Sequence, residues 1–133
     1  MLIKLLKKIR HSKHSKVISP VFILLGKFYR YITSKTGKNR FSLNKIGEYG
    51  PYKMDLEFTF SDFESWGGAH NCGFDSCIKL LHNKECFIDV GAHIGLVSIP
   101  ASTVMSKTGV IYAFEPSLVN RQHLISHIKK NNA

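Results

Sequence analysis

The sequence predicts an α/β fold. Its last third forms the first two β-α units of a parallel sheet, preceded by a β-hairpin and a basic helical arm. Three observations carry this. Two short apolar runs, Cys86–Val90 and Val110–Phe114, flank an apolar stretch of helical character. The first run ends on a glycine loop, and the second ends on an acid, Glu115. Between Tyr52 and Phe60 the chain instead alternates strictly, with Tyr52, Met54, Leu56, Phe58 and Phe60 facing one way and Lys53, Asp55, Glu57 and Thr59 the other, the period of a half-buried strand.

Taken in order, residues 1–40 are the arm. Leu2, Leu5, Leu6 and Ile9 recur at helical spacing among lysines and Arg10, which predicts a short basic amphipathic helix, and a second apolar and aromatic stretch follows. Phe41–Ile46 is expected to pair with the alternating strand across a turn at Glu48-Tyr49-Gly50-Pro51. Residues 62–73 are expected to form a loop, and Phe74 to His82 a short helix with Ile78 and Leu81 inward. Ile94 to Met105 is predicted helical, with Pro100 kinking it or shifting its start. Lys107-Thr108-Gly109 is a turn. Ser117 is the expected N-cap of a helix reaching about Lys130, with Leu118, Leu124, Ile125 and Ile128 on its apolar face and Lys129 and Lys130 at its negative end. Strands that are apolar runs, not alternating ones, suit a parallel sheet covered on both faces. The domain reading is therefore an arm (1–40), a lead-in of hairpin, loop and short helix (41–85), and the sheet unit (86–133).

Composition bounds the function. Hydrophobic residues make up 44% and charged residues 21% of the 133, a globular balance. The net charge of +10 belongs to the arm, because residues 1–40 hold eleven of the 19 basic residues and none of the nine acidic ones. The remainder is close to neutral, so no nucleic-acid partner is expected for it. Three cysteines, Cys72, Cys77 and Cys86, make no disulfide framework and fit reduced thiols in the cytoplasm. The longest apolar run of the arm, Val17 to Gly26, is too short to span a membrane, which takes roughly 20 residues. Neither a cleaved signal nor a span is expected. Residues 1–30 could still touch an anionic membrane surface peripherally.

The chemistry is carried by FIDVGAHIG and YAFEP. A strand ends in Asp89, Gly91-Ala92-His93-Ile94-Gly95 opens a helix, and 20 residues after Gly95 the next strand ends in Glu115-Pro116. In a parallel sheet, ligands bind outside the carboxyl ends of the strands. Gly91 and Gly95 permit a sharp turn and close approach of a ligand. Glu115 offers two acceptor oxygens, which suit the two hydroxyls of a ribose. Asp89 is placed to receive a cationic amine, directly or through water. A dinucleotide loop would need glycine where His93 and Leu96 stand, and His93 would crowd a pyrophosphate. S-adenosyl-L-methionine has no phosphate and tolerates that bulk.

Residues 86–132 resemble the opening of the FkbM-type methyltransferase domain, which runs D-x-G-A-[NH]-x-G, helix, Gly turn, a strand ending A-F-E-P and a helix ending in Asn. Trp66 to Leu81 resembles some members less specifically. The resemblance implies a class I methyltransferase, Rossmann-like fold with S-adenosyl-L-methionine as cofactor. Asp89, Gly91, Ala92, His93 and Gly95 would line the methionine and adenosine side, and Glu115-Pro116 would hold the ribose. His93 stands where many members have Asn. It further implies O-methylation of a sugar, glycan or natural-product hydroxyl. The family's third and fourth strands, with the groups that bind and activate the acceptor, follow the matched part, so no catalytic residue is assigned. The chain is accordingly expected to be an N-terminal fragment, inactive alone, with both edges of its two-stranded sheet exposed.

The alternative is a truncated, inactive protein whose arm associates with membranes or other anionic surfaces; a nucleic-acid-binding arm is a further rival, and neither accounts for residues 86–116. No metal is expected. His123 and His127 have the spacing of metal ligands on a helix but no evident third ligand, and are expected at the surface. His70, Cys72 and Cys77 fit no common zinc spacing. Trp66, His70 and Asn71 either border an acceptor pocket or form a structural loop.

Overall fold

The computed structural model describes residues 41–59, 61–68 and 71–133, together with Pro20, Leu24, Phe28 and Tyr31. Apart from those four positions, the expected helical arm and its expected membrane contact lie outside the described residues, as do the expectations for Phe60 and His70. An antiparallel hairpin comes first, β1 (Phe41–Ile46) and β2 (Tyr49–Asp55), followed by 3-10 turns at Leu56–Phe58 and Phe63–Ser65. Then come α1 (Phe74–Leu80), β3 (Cys86–Val90), α2 (Ser98–Val104), β4 (Val110–Phe114) and α3 (Leu118–Asn131). β3 and β4 pair in parallel, Cys86 opposite Val110 through Val90 opposite Phe114. Among the described residues they have no other strand beside them.

One core fastens these pieces together. Ile46, Tyr52 and Met54 of the hairpin, Phe74 and Ile78 of α1, and Ile94, Leu96, Ile99 and Ala101 around α2 form a single buried cluster. The lead-in is thus packed into the sheet unit. α3 lies along β2, where Asn131 takes the place of a third strand: its Oδ1 accepts from the Lys53 N–H (2.8 Å) and its Nδ2 donates to the Lys53 carbonyl (2.9 Å).

Four expectations need correction. The hairpin turns at Gly47-Glu48, and the second strand ends at Asp55 rather than Phe60. The alternation survives through the buried Tyr52 and Met54, after which Thr59 N–H closes on the Leu56 carbonyl and pulls the chain out of the sheet. The helix begins at Ser98 and not at Ile94, the shifted start that Pro100 implied, with Pro100 in its first turn, where its missing N–H costs nothing. The parallel sheet is covered on one face only among the described residues: Phe87, Asp89, Ile111 and Ala113 face the helices, while Ile88, Val90, Tyr112 and Phe114 are exposed. Finally, Leu118 and Ile125 of α3 are exposed, and His127 is buried beside Leu124 in their stead.

Gly95 shows how closely the pieces pack. Its φ is +94°, and a Cβ there would lie 3.0 Å from both Ile99 Cδ1 and Leu124 Cδ1. Gly95→Ala should therefore lower the urea midpoint by the equivalent of about 1–3 kcal/mol. Gly73→Ala, where a Cβ meets nothing within 4 Å, should leave the midpoint in place.

Candidate functional site

The sequence-predicted residues converge at the carboxyl ends of β3 and β4. The chain leaves β3 through Gly91, whose N–H and that of Ala92 both donate to the Phe114 carbonyl at the end of β4 (2.9 and 3.0 Å). These two hydrogen bonds to one carbonyl draw the loop across the strand tips. Gly91 has φ +83°, and the space where a Cβ would sit holds no atom within 4 Å. Gly91 thus leaves an open approach to the backbone, whereas Gly95 is required by packing. Ala92 is buried beneath the loop. His93 is exposed and also left-handed, with φ +53°.

Glu115 ties the loop to β4. Its Oε2 accepts from the His93 N–H (2.8 Å), and its Oε1 accepts from the Ser117 N–H (2.9 Å) and the Asn120 amide (3.5 Å). These donors, the Ser117 N–H foremost, hold the carboxyl below its usual range, so it is an acceptor at neutral pH. Oε2, with a single donor, keeps lone-pair capacity for an added hydroxyl, while both sites of Oε1 are taken. Pro116 is exposed beside it, and Ser117 caps α3 as expected.

Asp89 is placed differently. It is 7% exposed and faces the helices, and its Oδ2 accepts from Ser98 Oγ at 2.5 Å. It pins the start of α2 from below the loop. Trp66 packs against the core cluster and Asn71 is exposed, which favours the structural reading of that loop. Cys72, Cys77 and Cys86 are all free thiols, and burial pushes that of Cys77 up.

A second cluster escaped the sequence reading. His127, expected at the surface, has 0% exposure, because α3 turns it under the end of β2. Its Nδ1 faces the Ile94 carbonyl (2.8 Å), and its Nε2 accepts from the Asp55 N–H (2.9 Å). His123 presents Nδ1 to Asp55 Oδ2 (2.7 Å) and Nε2 to Glu57 Oε1 (2.6 Å). Asp55 Oδ1 takes Ser126 Oγ (2.9 Å) and the Lys130 ammonium. Burial raises the Asp55 pKa, but the bonds with His127, His123, Lys130 and Ser126 outweigh it and hold the carboxyl well below the usual range. Phe58 closes the cluster, its ring 5.0 and 5.5 Å from the two imidazoles. The available signal was the pair of histidines four apart on α3 together with two acids of one parity, Asp55 and Glu57.

No protein-family model, curated protein or solved structure matches the chain. Among the described residues, no helix is long and apolar enough to cross a membrane.

Proposed function

We propose that residues 86–133 are the cofactor-binding front of an S-adenosyl-L-methionine-dependent methyltransferase domain of the FkbM type, with the class I Rossmann-like order. The observation that carries this reading is the pairing of the open Gly91 turn with the ionised Glu115 carboxylate across adjacent tips of parallel strands, joined through the His93 N–H.

The residues present fit such a ligand. Glu115 can accept from a ribose hydroxyl through Oε2 while its backbone donors keep it oriented. Gly91 lets the nucleoside approach the turn. His93 and its side chain occupy the position where a dinucleotide loop needs glycine, which disfavours a pyrophosphate. Asp89, covered by Ser98, acts through the loop it supports, not by direct contact with an amine. The cofactor, when bound, supplies a methyl group activated by its sulfonium. The chain's own task is to hold that group for an acceptor hydroxyl of a sugar, glycan or natural product. None of the described residues is assigned as the base.

The test is titration of the chain with S-adenosylmethionine, S-adenosylhomocysteine and NAD in parallel. The two adenosyl ligands should bind with a common site and millimolar or tighter affinity, and NAD should not compete. Equal binding of NAD would refute the loop reading. The depressed Glu115 pKa sets the pH dependence: affinity should stay level from neutral pH down past the usual carboxylate pKa of about 4. It should fall only at lower pH, as Glu115 takes up its proton and loses acceptor capacity.

A further inference from the structure

The geometry points to a divalent metal site of the zinc class formed by Asp55, His123 and His127, clipping the hairpin to α3. The donor atoms of the three lie within 4.8 Å of one another. Asp55 Oδ2 stands 2.7 Å from His123 Nδ1 and 3.2 Å from His127 Nε2. Tetrahedral zinc with bonds of about 2.0–2.1 Å separates its ligands by about 3.3 Å, so the first pair opens by roughly half an ångström and the second hardly moves.

The partners behind these atoms are those a metal site requires. A ligating histidine donates its other ring N–H to a carboxylate or a carbonyl. His123 has Glu57 there at 2.6 Å, and His127 has the Ile94 carbonyl at 2.8 Å. Asp55 Oδ1, the oxygen not aimed at the histidines, is held by Ser126 and Lys130. The Ile94 carbonyl fixes the proton of His127 on Nδ1, so Nε2 is the ring nitrogen with a lone pair to offer a metal, and it lies 3.2 Å from Asp55 Oδ2. The Asp55 N–H that Nε2 now accepts gives way to the metal. Lys130 opposes a second cation, and the charges of Asp55 and Glu57 offset it. Asp55 and His123 are 21% and 22% exposed, which leaves a fourth position for water. The oxygen and nitrogen donors select zinc, cobalt or nickel over magnesium and calcium.

A proton could bridge the same atoms, and the test separates the two. The full chain, stripped with a chelator and dialysed, is titrated with zinc chloride by calorimetry and with cobalt chloride by visible absorption. One equivalent of zinc should bind and raise the melting temperature. Cobalt should give ligand-field bands without thiolate charge transfer, which excludes the cysteines. His123→Gln should weaken zinc binding by roughly 100-fold or more, and Glu57→Gln, which keeps an acceptor oxygen for His123, by roughly 10–100-fold. Cys72→Ser should leave it unchanged. Absence of stoichiometric binding at 100 µM zinc, or affinity undiminished in both His123→Gln and Glu57→Gln, would overturn the site and leave a proton-bridged clasp.

Discussion

Asp55→Ala should destabilise the chain by about 3 kcal/mol, measured as a fall in the urea midpoint at pH 7 with a chelator present. Removing one member of a buried ionic cluster costs about 3–5 kcal/mol, since the remaining charges lose their partner. Here Lys130, 17% exposed, and His123 would be left facing each other, and Asp55 keeps some contact with water, which places the loss at the lower end. Such a loss is a large part of the 5–15 kcal/mol that holds a domain folded. The size follows from position: Asp55 is where β2 ends and where four residues of α3 meet the hairpin. Adding Lys130→Met to Asp55→Ala should recover part of the loss, because the uncompensated ammonium goes with it. A midpoint shift below about 1 kcal/mol would mean that the apolar cluster alone fastens hairpin to helix.

Glu115→Ala should have the largest effect on ligand binding. The substitution removes the charge-assisted acceptor for the ribose and frees the His93 N–H that shapes the loop. S-adenosylmethionine affinity should fall by roughly 100-fold or more, beyond detection if the parent binds in the millimolar range. Stability should change little, because the carboxylate lies at the surface. Glu115→Gln should lose less, since the amide keeps one acceptor oxygen. Gly91→Val should also abolish binding, by filling the open turn and opposing its φ of +83°. If Glu115→Ala binds as well as the parent, the acid serves only to brace the loop.

The parts of this fold legible in the sequence are those fixed by local signals. β3 and β4 run between the residues where their apolar runs stop, and Ser117 caps α3 because its hydroxyl reaches the Asn120 N–H. The loop of Gly91 to Gly95 and its acid were readable because the spacing itself is the device. The face that Asp89 takes was hidden, because alternation within a strand settles it and β3 is an apolar run. The histidine cluster was illegible for another reason. Asp55 meets residues 68 to 75 positions away, and its strand pattern assigned it to the polar side. Only the packing of α3 across β2 turns that side into an interior. The exposed Ile88, Val90, Tyr112 and Phe114 show the converse, since their composition announces burial that no described element provides.

The most direct test of the cofactor reading is amide chemical-shift mapping of the 15N-labelled chain during titration with S-adenosylmethionine, which registers even millimolar binding. The account predicts saturable shifts at Gly91, Ala92, His93 and Gly95, and at Glu115 and Ser117, with the α3 residues around His127 unmoved. A spectrum unchanged at 10 mM ligand, or shifts centred away from the tips of β3 and β4, would contradict it.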